Sequence, residues 1–176
     1  MTGRPGAGKT TLARKLGEQL WMPVISRDAL KEGFIHTLGI GHDQLPANTN
    51  GIVSDLFFET VAHYLSNGVS IIAEAAFQHQ IWASKIAEIS GLANVLLLIC
   101  ALDGKLAVER HRQRALVDSR RFFFHGDHVA SKSARHSMDI PHYSEPALNV
   151  LTLHVDTTAS YRPSLDKLEQ LVREMS

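Results

Sequence analysis

GRPGAGKT, residues 3–10, is the stretch of sequence that decides the fold. It matches the spacing G-x-x-x-x-G-K-[ST] of a phosphate-binding loop, whose backbone N–H groups and following helix surround the phosphates of a nucleotide. With glycine at about 7% of residues, a chain of this length contains the pattern by chance on the order of once in a hundred cases. The predicted nucleotide-binding residues are Gly3, Arg4, Pro5, Gly6, Ala7, Gly8, Lys9, Thr10 and Thr11.

Two side chains of this loop carry specific predictions about ligands. Lys9 is expected to reach the β and γ phosphates of a nucleotide, where its ammonium group offsets their negative charge. Thr10 is expected to supply a hydroxyl group to a magnesium ion. The loop therefore predicts ATP and Mg²⁺ as the cofactors.

The composition fits one globular domain, residues 1–176, with a hydrophobic core of its own. Apolar residues make up 44% of the chain, and 18 basic side chains balance 18 acidic ones, so the overall charge favours neither a nucleic-acid nor a membrane surface. The single cysteine, Cys100, lies in an apolar run and is predicted to be a buried core residue. Since the sequence contains no apolar stretch of about 18 residues, we expect a cytoplasmic protein in a reducing compartment.

Hydrophobic periodicity after the loop predicts an α/β fold. A helix is expected over Lys9–Leu20, and helical patterns recur as far as a last helix that Ser164 caps. Four apolar runs are typical of buried strands, at 22–26, 69–77, 93–102 and 149–158, whereas 119–137 predicts an irregular segment. Strands that alternate with helices predict a parallel sheet covered on both faces, with functional residues at the carboxyl ends of the strands.

Two carboxylates follow predicted strands. Glu74 ends an apolar strand, where a carboxylate needs a cation, a hydrogen-bond network or water. It is either a cap at the start of a helix or a residue beside Thr10 that holds a water molecule of Mg²⁺. Asp28 is either the N-cap of the helix that follows it, a general base aimed at an acceptor hydroxyl, or both.

Arg110 and Arg114 are four residues apart on a predicted helix and therefore share a face, whereas Arg112 points elsewhere. This face is either a solvated basic surface or a set of guanidinium groups that stabilise the charge of a transferring phosphoryl group. The sequence alone leaves both interpretations open.

A lid is predicted around residues 115–142, where basic and aromatic side chains follow this helix. It includes Arg120, Arg121 and His125. A metal site at His125 and His128 is not favoured, because the pair lies in a loop without companion cysteines or a helical H-E-x-x-H motif. These imidazoles could equally contact substrate or solvent.

Four motifs together resemble a known family, namely GRPGAGKTT, SRDALKEGF, IIAEAAF and VERHRQR. In order and spacing they are similar to the P-loop kinases grouped with phage polynucleotide 5′-kinase, the zeta toxins, chloramphenicol phosphotransferase and many predicted kinases, an ATP-binding group of the AAA_33 type. The resemblance covers about residues 3–160. It implies a P-loop NTPase three-layer sandwich with a parallel sheet in the strand order 2-3-1-4-5, where strand 1 precedes the loop.

The resemblance also implies roles for individual residues. Asp28 stands where the polynucleotide kinase has its general base, and Glu74 stands where that enzyme has an aspartate. Lys31 replaces an arginine that approaches the phosphate of the acceptor in that enzyme, a change that weakens bidentate recognition of phosphate. Arg110 and Arg114 match arginines that the family carries at its lid.

The chain departs from the family at its start. The family has five or six apolar residues before the loop, which form the first and central strand, whereas this sequence has only Met1 and Thr2. We expect that the sequence is truncated or begins at the wrong methionine. The alternative is a sheet with a gap or a foreign strand in its middle, which would leave backbone groups of the neighbouring strands unpaired.

These features together predict an ATP-dependent phosphotransferase that moves the γ-phosphoryl group of ATP to a hydroxyl of a small molecule or a nucleic-acid end. The alternatives are an ATP-hydrolysing switch and a nucleotide-binding module without kinase activity. The balanced net charge favours a small-molecule or nucleotide acceptor, while a nucleic acid is possible but less favoured. The candidate residues are Lys9, Asp28, Arg110 and Arg114 for catalysis, Asp28 and Lys31 for the acceptor, and Thr10 and Glu74 for the metal.

Overall fold

Helices and parallel strands alternate along the chain in the computed structural model, which describes residues 1–126 and 143–175. The predicted α/β class and the bounds of the first helix are confirmed, although the strands are shorter than their apolar runs. In chain order the elements are α1 Lys9–Leu20, β1 Val24–Ser26, α2 Arg27–Leu38, a short 3₁₀ helix His42–Gln44, α3 Thr49–Ser66, β2 Ile72–Glu74, α4 His79–Leu92, β3 Leu96–Ala101, α5 Gly104–Val117, α6 Arg120–His125, β4 Leu151–Asp156 and α7 Leu165–Met175.

The sheet consists of two parallel pairs joined by the first two residues of the chain. β1 pairs with β2, and β3 pairs with β4. Between the pairs, the amino group of Met1 donates to the carbonyl oxygen of Ala73 in β2 at 2.7 Å. On the other side, Thr2 makes two backbone hydrogen bonds to β3. Its N–H donates to the carbonyl oxygen of Leu98 at 2.9 Å, and its carbonyl oxygen accepts from the N–H of Cys100 at 2.8 Å. The order is therefore β1, β2, Met1–Thr2, β3, β4, which confirms the expected order 2-3-1-4-5, with Met1–Thr2 in the place of strand 1.

Within residues 1–126 and 143–175 no strand lies between β2 and β3 on the amino-terminal side of Met1, so the two strands flank a gap there. The N–H and C=O of a strand residue point to the same edge of the strand. The N–H groups of Ala73 and Leu98 therefore face the gap, and among residues 1–126 and 143–175 they have no hydrogen-bond acceptor there. Cavities of about 330 Å³ and 120 Å³ lie on the two faces of the gap, lined mainly by apolar side chains.

Apolar side chains cover both faces of the sheet. Under α1 and α7 the buried residues include Leu12, Leu16, Val155 and Leu168. Cys100 belongs to this cluster at 2% exposed, which confirms the prediction, and burial raises the pKa of its thiol to about 11. On the other face a cluster of aromatic rings lies under α3 and α4, formed by Phe57, Phe58, Phe77 and Trp82.

Two local predictions differ from the structure, and a third falls only partly within the described residues. The segment predicted to be irregular contains α6, since Arg120–His125 is helical. The N-cap of α2 is Ser26, whose hydroxyl accepts from the N–H of Ala29 at 3.4 Å, so of the alternatives for Asp28 the one that it caps this helix is wrong. The predicted lid is described only up to Gly126, and its residues 127–142 lie outside the described part of the chain.

None of the helices in the described part is long and apolar enough to cross a membrane.

Filling the gap in the sheet should stabilise the fold. Four apolar residues, Val-Leu-Ile-Val, placed before Met1 would give acceptors to the N–H groups of Ala73 and Leu98 and bury apolar surface in both cavities. We expect the midpoint of thermal unfolding to rise by more than about 5 °C, because ~1 kcal/mol shifts it by about 2–4 °C in a chain of this size.

The control for this extension is Gly-Ser-Gly-Ser at the same place, which adds the same length without apolar side chains. Calorimetry of the parent and the two extended chains compares them directly. If the apolar and polar extensions melt at the same temperature, the gap does not accept a strand.

Candidate active site

The phosphate-binding loop adopts a conformation that only glycine tolerates at two positions. Gly3 has φ of 145°, and a Cβ atom there would lie 2.6 Å from the carbonyl oxygen of Cys100 in β3. Gly6 has φ of 87°, and its Cβ would lie 2.1 Å from the carbonyl oxygen of Ala107 in α5. Both positions combine a left-handed backbone with close contact to a neighbouring element, so the glycines of the motif fix the path of the loop.

The loop delivers the chain directly into α1, with Gly8 as its N-cap. No side chain within residues 1–126 and 143–175 caps this helix. The first N–H groups of α1 therefore remain available, and together with the positive end of the helix dipole they form an anion-binding site. The backbone of this loop fits the phosphates of a nucleotide.

Lys9 lies at the inner side of this loop and is only 8% exposed. Its Nζ donates to the carbonyl oxygen of Arg4 at 3.1 Å, so the ammonium group is folded back over the loop. Burial lowers the pKa of Lys9, and the carboxylates of Glu74 and Asp28 oppose this shift. A desolvated cation next to the uncapped start of α1 is suited to an incoming phosphate group.

Glu74 ends β2 beside α1 and is 3% exposed. Its Oε1 accepts from the hydroxyl of Thr10 at 3.0 Å. Ligands at adjacent corners of an octahedral Mg²⁺ site lie about 2.9 Å apart when the metal–oxygen distance is 2.0–2.1 Å. The Thr10 hydroxyl and the Glu74 carboxylate therefore fit the prediction that these two side chains hold a magnesium ion, directly or through water.

Ser26 is a residue of this site that the sequence analysis missed. Its hydroxyl donates to Oε1 of Glu74 at 2.7 Å, on the same oxygen that Thr10 uses. The contact joins residues 48 positions apart in the chain, and although Ser26 begins the SRDALKEGF motif, that motif does not indicate the contact. Only the pairing of β1 with β2, which sets Ser26 opposite Glu74, could have indicated it.

Thr157 is a second residue that was missed. It follows β4 and is 7% exposed. Its hydroxyl lies within hydrogen-bond distance of the carbonyl oxygens of Ala7 and Ala101, at 2.9 Å and 3.1 Å. Thr157 therefore fastens the phosphate-binding loop to the carboxyl end of β3.

Asp28 is the second residue of α2, and its side chain is 54% exposed. Arg27 lies beside it, with Nη1 at 3.5 Å from Oδ1 of Asp28 and Nη2 donating to Asn50 at 2.8 Å. These side chains line a cavity of about 580 Å³ between α2, α3 and the residues after β2. Lys31 lies one turn further along α2 and is 6% exposed, and burial together with the nearby Arg27 lowers its pKa.

The two predicted lid arginines have different surroundings. Arg110 donates to the carbonyl oxygens of Thr157 and Thr158, at 3.0 Å and 2.5 Å, and so holds the loop after β4. Arg114 is exposed, and its charge lies close enough to Lys9 to contribute to the lowered pKa of that residue. The structure thus brings Arg114 toward the phosphate-binding loop, and the contact of either arginine with a phosphoryl group stays a prediction.

The histidine and lid predictions are only partly covered by the described residues. Nε2 of His125 lies 2.8 Å from Glu32 on α2, which places α6 against that helix. Arg120 pairs with Asp118 on the surface. In the described ranges, 1–126 and 143–175, there is no group of three or more His, Cys, Asp or Glu side chains that could hold a metal ion. His128 lies outside those ranges.

Comparison with protein families identifies the domain. A family model described as an AAA domain, AAA_33, matches residues 1–137. The chain belongs to this family. A comparison with curated proteins finds no match.

Solved structures with the same fold support this assignment of the AAA_33 domain. A protein described as a "putative kinase" from Chloroflexus aurantiacus J-10-fl superposes with a TM-score of 0.76 at 24% identity, covering 99% of this chain and 95% of that one. A gluconokinase from Sinorhizobium meliloti 1021 gives 0.55 at 17% identity, covering 99% and 94%. A sugar kinase from Janibacter sp. HTCC2649 gives 0.53 at 15% identity, covering 99% and 90%. The AAA_33 domain therefore has a P-loop kinase-like fold.

Lys9→Ala should remove most of the ATP affinity of the AAA_33 domain without unfolding it. A methyl group cannot replace an ammonium that contacts two phosphates, whereas the loss of a buried cation is not expected to destabilise the core. Isothermal titration with ATP and a thermal melt measure the two effects. A folded variant that binds ATP as tightly as the parent would contradict the assignment of this loop.

Substitution of two arginines of α5 in the AAA_33 domain should have different effects, one on catalysis and one on stability. Arg114→Ala should lower the rate of ATP turnover more than the ATP affinity, because a guanidinium near the γ phosphate meets the largest charge in the transition state. Arg110→Ala should instead lower the melting temperature, since two carbonyl groups after β4 lose their donor.

Arg112→Ala is the matched control on the same helix, because Arg112 makes only a solvent-exposed pair with Glu109, which contributes little to stability. Steady-state kinetics and melting curves of the three variants distinguish the roles. Equal, small effects for Arg114→Ala and Arg112→Ala would favour a solvated basic face.

Proposed function

We propose that the protein is an ATP-dependent phosphotransferase that moves the γ-phosphoryl group of ATP to a hydroxyl of a small molecule. The observation that carries the proposal is the convergence of three groups around Lys9. The Thr10–Glu74 pair and the exposed carboxylate of Asp28 both lie near Lys9, close enough for the two carboxylates to oppose the lowering of its pKa by burial. A phosphate site, a metal site and a base at the mouth of a cavity are the parts that phosphoryl transfer requires.

The proposed reaction assigns one task to each group. The loop N–H donors and Lys9 would hold the β and γ phosphates of ATP, while Thr10 and Glu74 would hold Mg²⁺, which neutralises charge on the phosphates. Asp28 would accept the proton of the acceptor hydroxyl as its oxygen forms a bond to the γ phosphorus. The bond from that phosphorus to the bridging oxygen breaks, so ADP leaves with the negative charge and the product is a phosphate ester.

The cavity beside Asp28 supports a small acceptor. Its volume of about 580 Å³ is in the range of small-molecule sites. Asn50, Ser54 and Arg27 supply donors and acceptors for hydroxyl groups, while Phe77 and Ile81 give an apolar wall. Such a lining suits a compact polar molecule with several hydroxyl groups, as sugars and sugar acids have. The structural neighbours named as a sugar kinase and a gluconokinase agree with this class of acceptor.

A cytoplasmic location is part of the proposal. The only cysteine, Cys100, is a buried free thiol, and a fold without disulfides needs no oxidising compartment. ATP and Mg²⁺ are both abundant in a reducing cytoplasm.

Asp28→Asn tests the proposal. The amide keeps the size of the side chain but cannot take a proton, so we expect phosphate transfer to fall by about 10²- to 10⁴-fold. ATP affinity should change little, because the loop and Lys9 hold the phosphates. The measurement is transfer of the γ phosphate from ATP to a panel of sugars, sugar acids, nucleosides, aminoglycosides and oligonucleotide ends.

Asp166→Asn is the matched control, since Asp166 is also the second residue of a helix whose preceding serine caps it. This variant should transfer phosphate at the parental rate. Full transfer activity in Asp28→Asn would remove the general base from the mechanism. ATP hydrolysis by the parent chain without transfer to any acceptor in the panel would favour an ATP-hydrolysing switch.

A further inference from the structure

We propose that Ser26 is a positioning residue for the transfer step, because its hydroxyl connects the metal-site carboxylate of Glu74 to the helix that carries Asp28. The inference rests on the proposed phosphotransferase activity. It assigns a role to a side chain that would itself touch neither phosphate nor acceptor.

The sheet brings the two side chains together. β1 and β2 are parallel, and their register sets Ser26 directly opposite Glu74 as the last residue of each strand. The two residues therefore point in the same direction at the carboxyl edge of the sheet. A hydrogen bond of 2.7 Å between the serine hydroxyl and Oε1 of Glu74 follows from this pairing.

The serine hydroxyl is engaged in two directions. It has one proton, which it donates to Glu74, and it accepts from the N–H of Ala29 in the first turn of α2. The position of that turn is thereby coupled to the position of the carboxylate. Asp28 lies in the same turn, so the proposed base and the proposed metal ligand are held at a fixed separation by one hydroxyl group.

The hydrogen bonds also orient the carboxylate of Glu74. Both hydroxyl donors, Ser26 and Thr10, bond to Oε1. Within residues 1–126 and 143–175 no group donates to Oε2, so this second oxygen is left for a metal-bound water. When the Thr10 hydroxyl binds the metal, it can no longer donate to Glu74 in the same direction. Ser26 would then be the group that keeps the carboxylate of Glu74 in its orientation.

A cap with no functional role is the competing explanation, and the chain contains a control for it. Ser164 accepts from the N–H of Lys167 at 3.3 Å at the start of α7, and thus has the same capping contact as Ser26. Among residues 1–126 and 143–175, its hydroxyl contacts no carboxylate. Any effect of Ser26→Ala that Ser164→Ala does not reproduce belongs to the contact with Glu74.

The experiment compares Ser26→Ala, Ser26→Thr and Ser164→Ala in the full chain. For each variant we would measure the Mg²⁺ concentration that half-saturates ATP binding, kcat and KM for an accepted acceptor, and the melting temperature. Loss of a side chain that orients a metal ligand typically reduces metal affinity or activity by about 10- to 100-fold.

We expect Ser26→Ala to raise the half-saturating Mg²⁺ concentration and to lower kcat by at least about 10-fold, with a smaller change in KM. Ser26→Thr keeps the hydroxyl and should restore both values. Ser164→Ala should lower the melting temperature less than Ser26→Ala, which also removes a donor from a buried carboxylate, and should leave Mg²⁺ dependence and kcat at the parental values.

Parental Mg²⁺ dependence in folded Ser26→Ala would overturn the inference. If Ser26→Ala does not fold, Ser26→Cys preserves the size with a much weaker donor, and parental Mg²⁺ dependence there would overturn it equally. The Mg²⁺ titration needs only ATP binding. Failure of the parent chain to transfer phosphate to any acceptor would therefore disprove the proposed function separately from the role of Ser26.

Discussion

The buried carboxylate of Glu74 is the constraint on which the arrangement of the site depends. A carboxylate that is 3% exposed is unstable unless donors or a cation surround it. The donors here come from two other elements, Thr10 at the start of α1 and Ser26 at the end of β1. The hydrogen bonds to this one carboxylate therefore fix the start of α1, the end of β1 and the end of β2 relative to one another.

Met1 and Thr2 lie between β2 and β3 and hold the start of the phosphate-binding loop. Thr2 bonds to β3 through both of its backbone groups, and its side chain donates to the carbonyl oxygen of Phe77 at 3.1 Å. Beyond the strand, Gly3 and Gly6 pack against the backbones of β3 and α5 at distances that exclude a Cβ atom. These contacts fix the loop from Thr2 to Gly6. The gap between β2 and β3 lies at the amino ends of the strands, whereas the site lies at their carboxyl ends.

Features with a local physical cause could be predicted from the sequence. The G-x-x-x-x-G-K-[ST] spacing and the apolar periodicity after it gave the bounds of α1, and the apolar run before Glu74 located the end of β2. The roles of Ser26 and Thr157 could not be predicted, because their partners lie 48 and 150 residues away and depend on strand register. The helix α6 was missed because its run of arginines and phenylalanines has no helical periodicity.

Arg110 and Arg114 show that a shared helix face is not a shared site. Their spacing places both side chains on the same side of α5, as the sequence predicted, but successive turns of a helix are about 5.4 Å apart along its axis. At one turn the guanidinium group meets the carbonyl groups after β4, and at the next the charge acts on Lys9. Arg110 therefore supports the loop after β4, whereas the charge of Arg114 acts on the phosphate-binding loop.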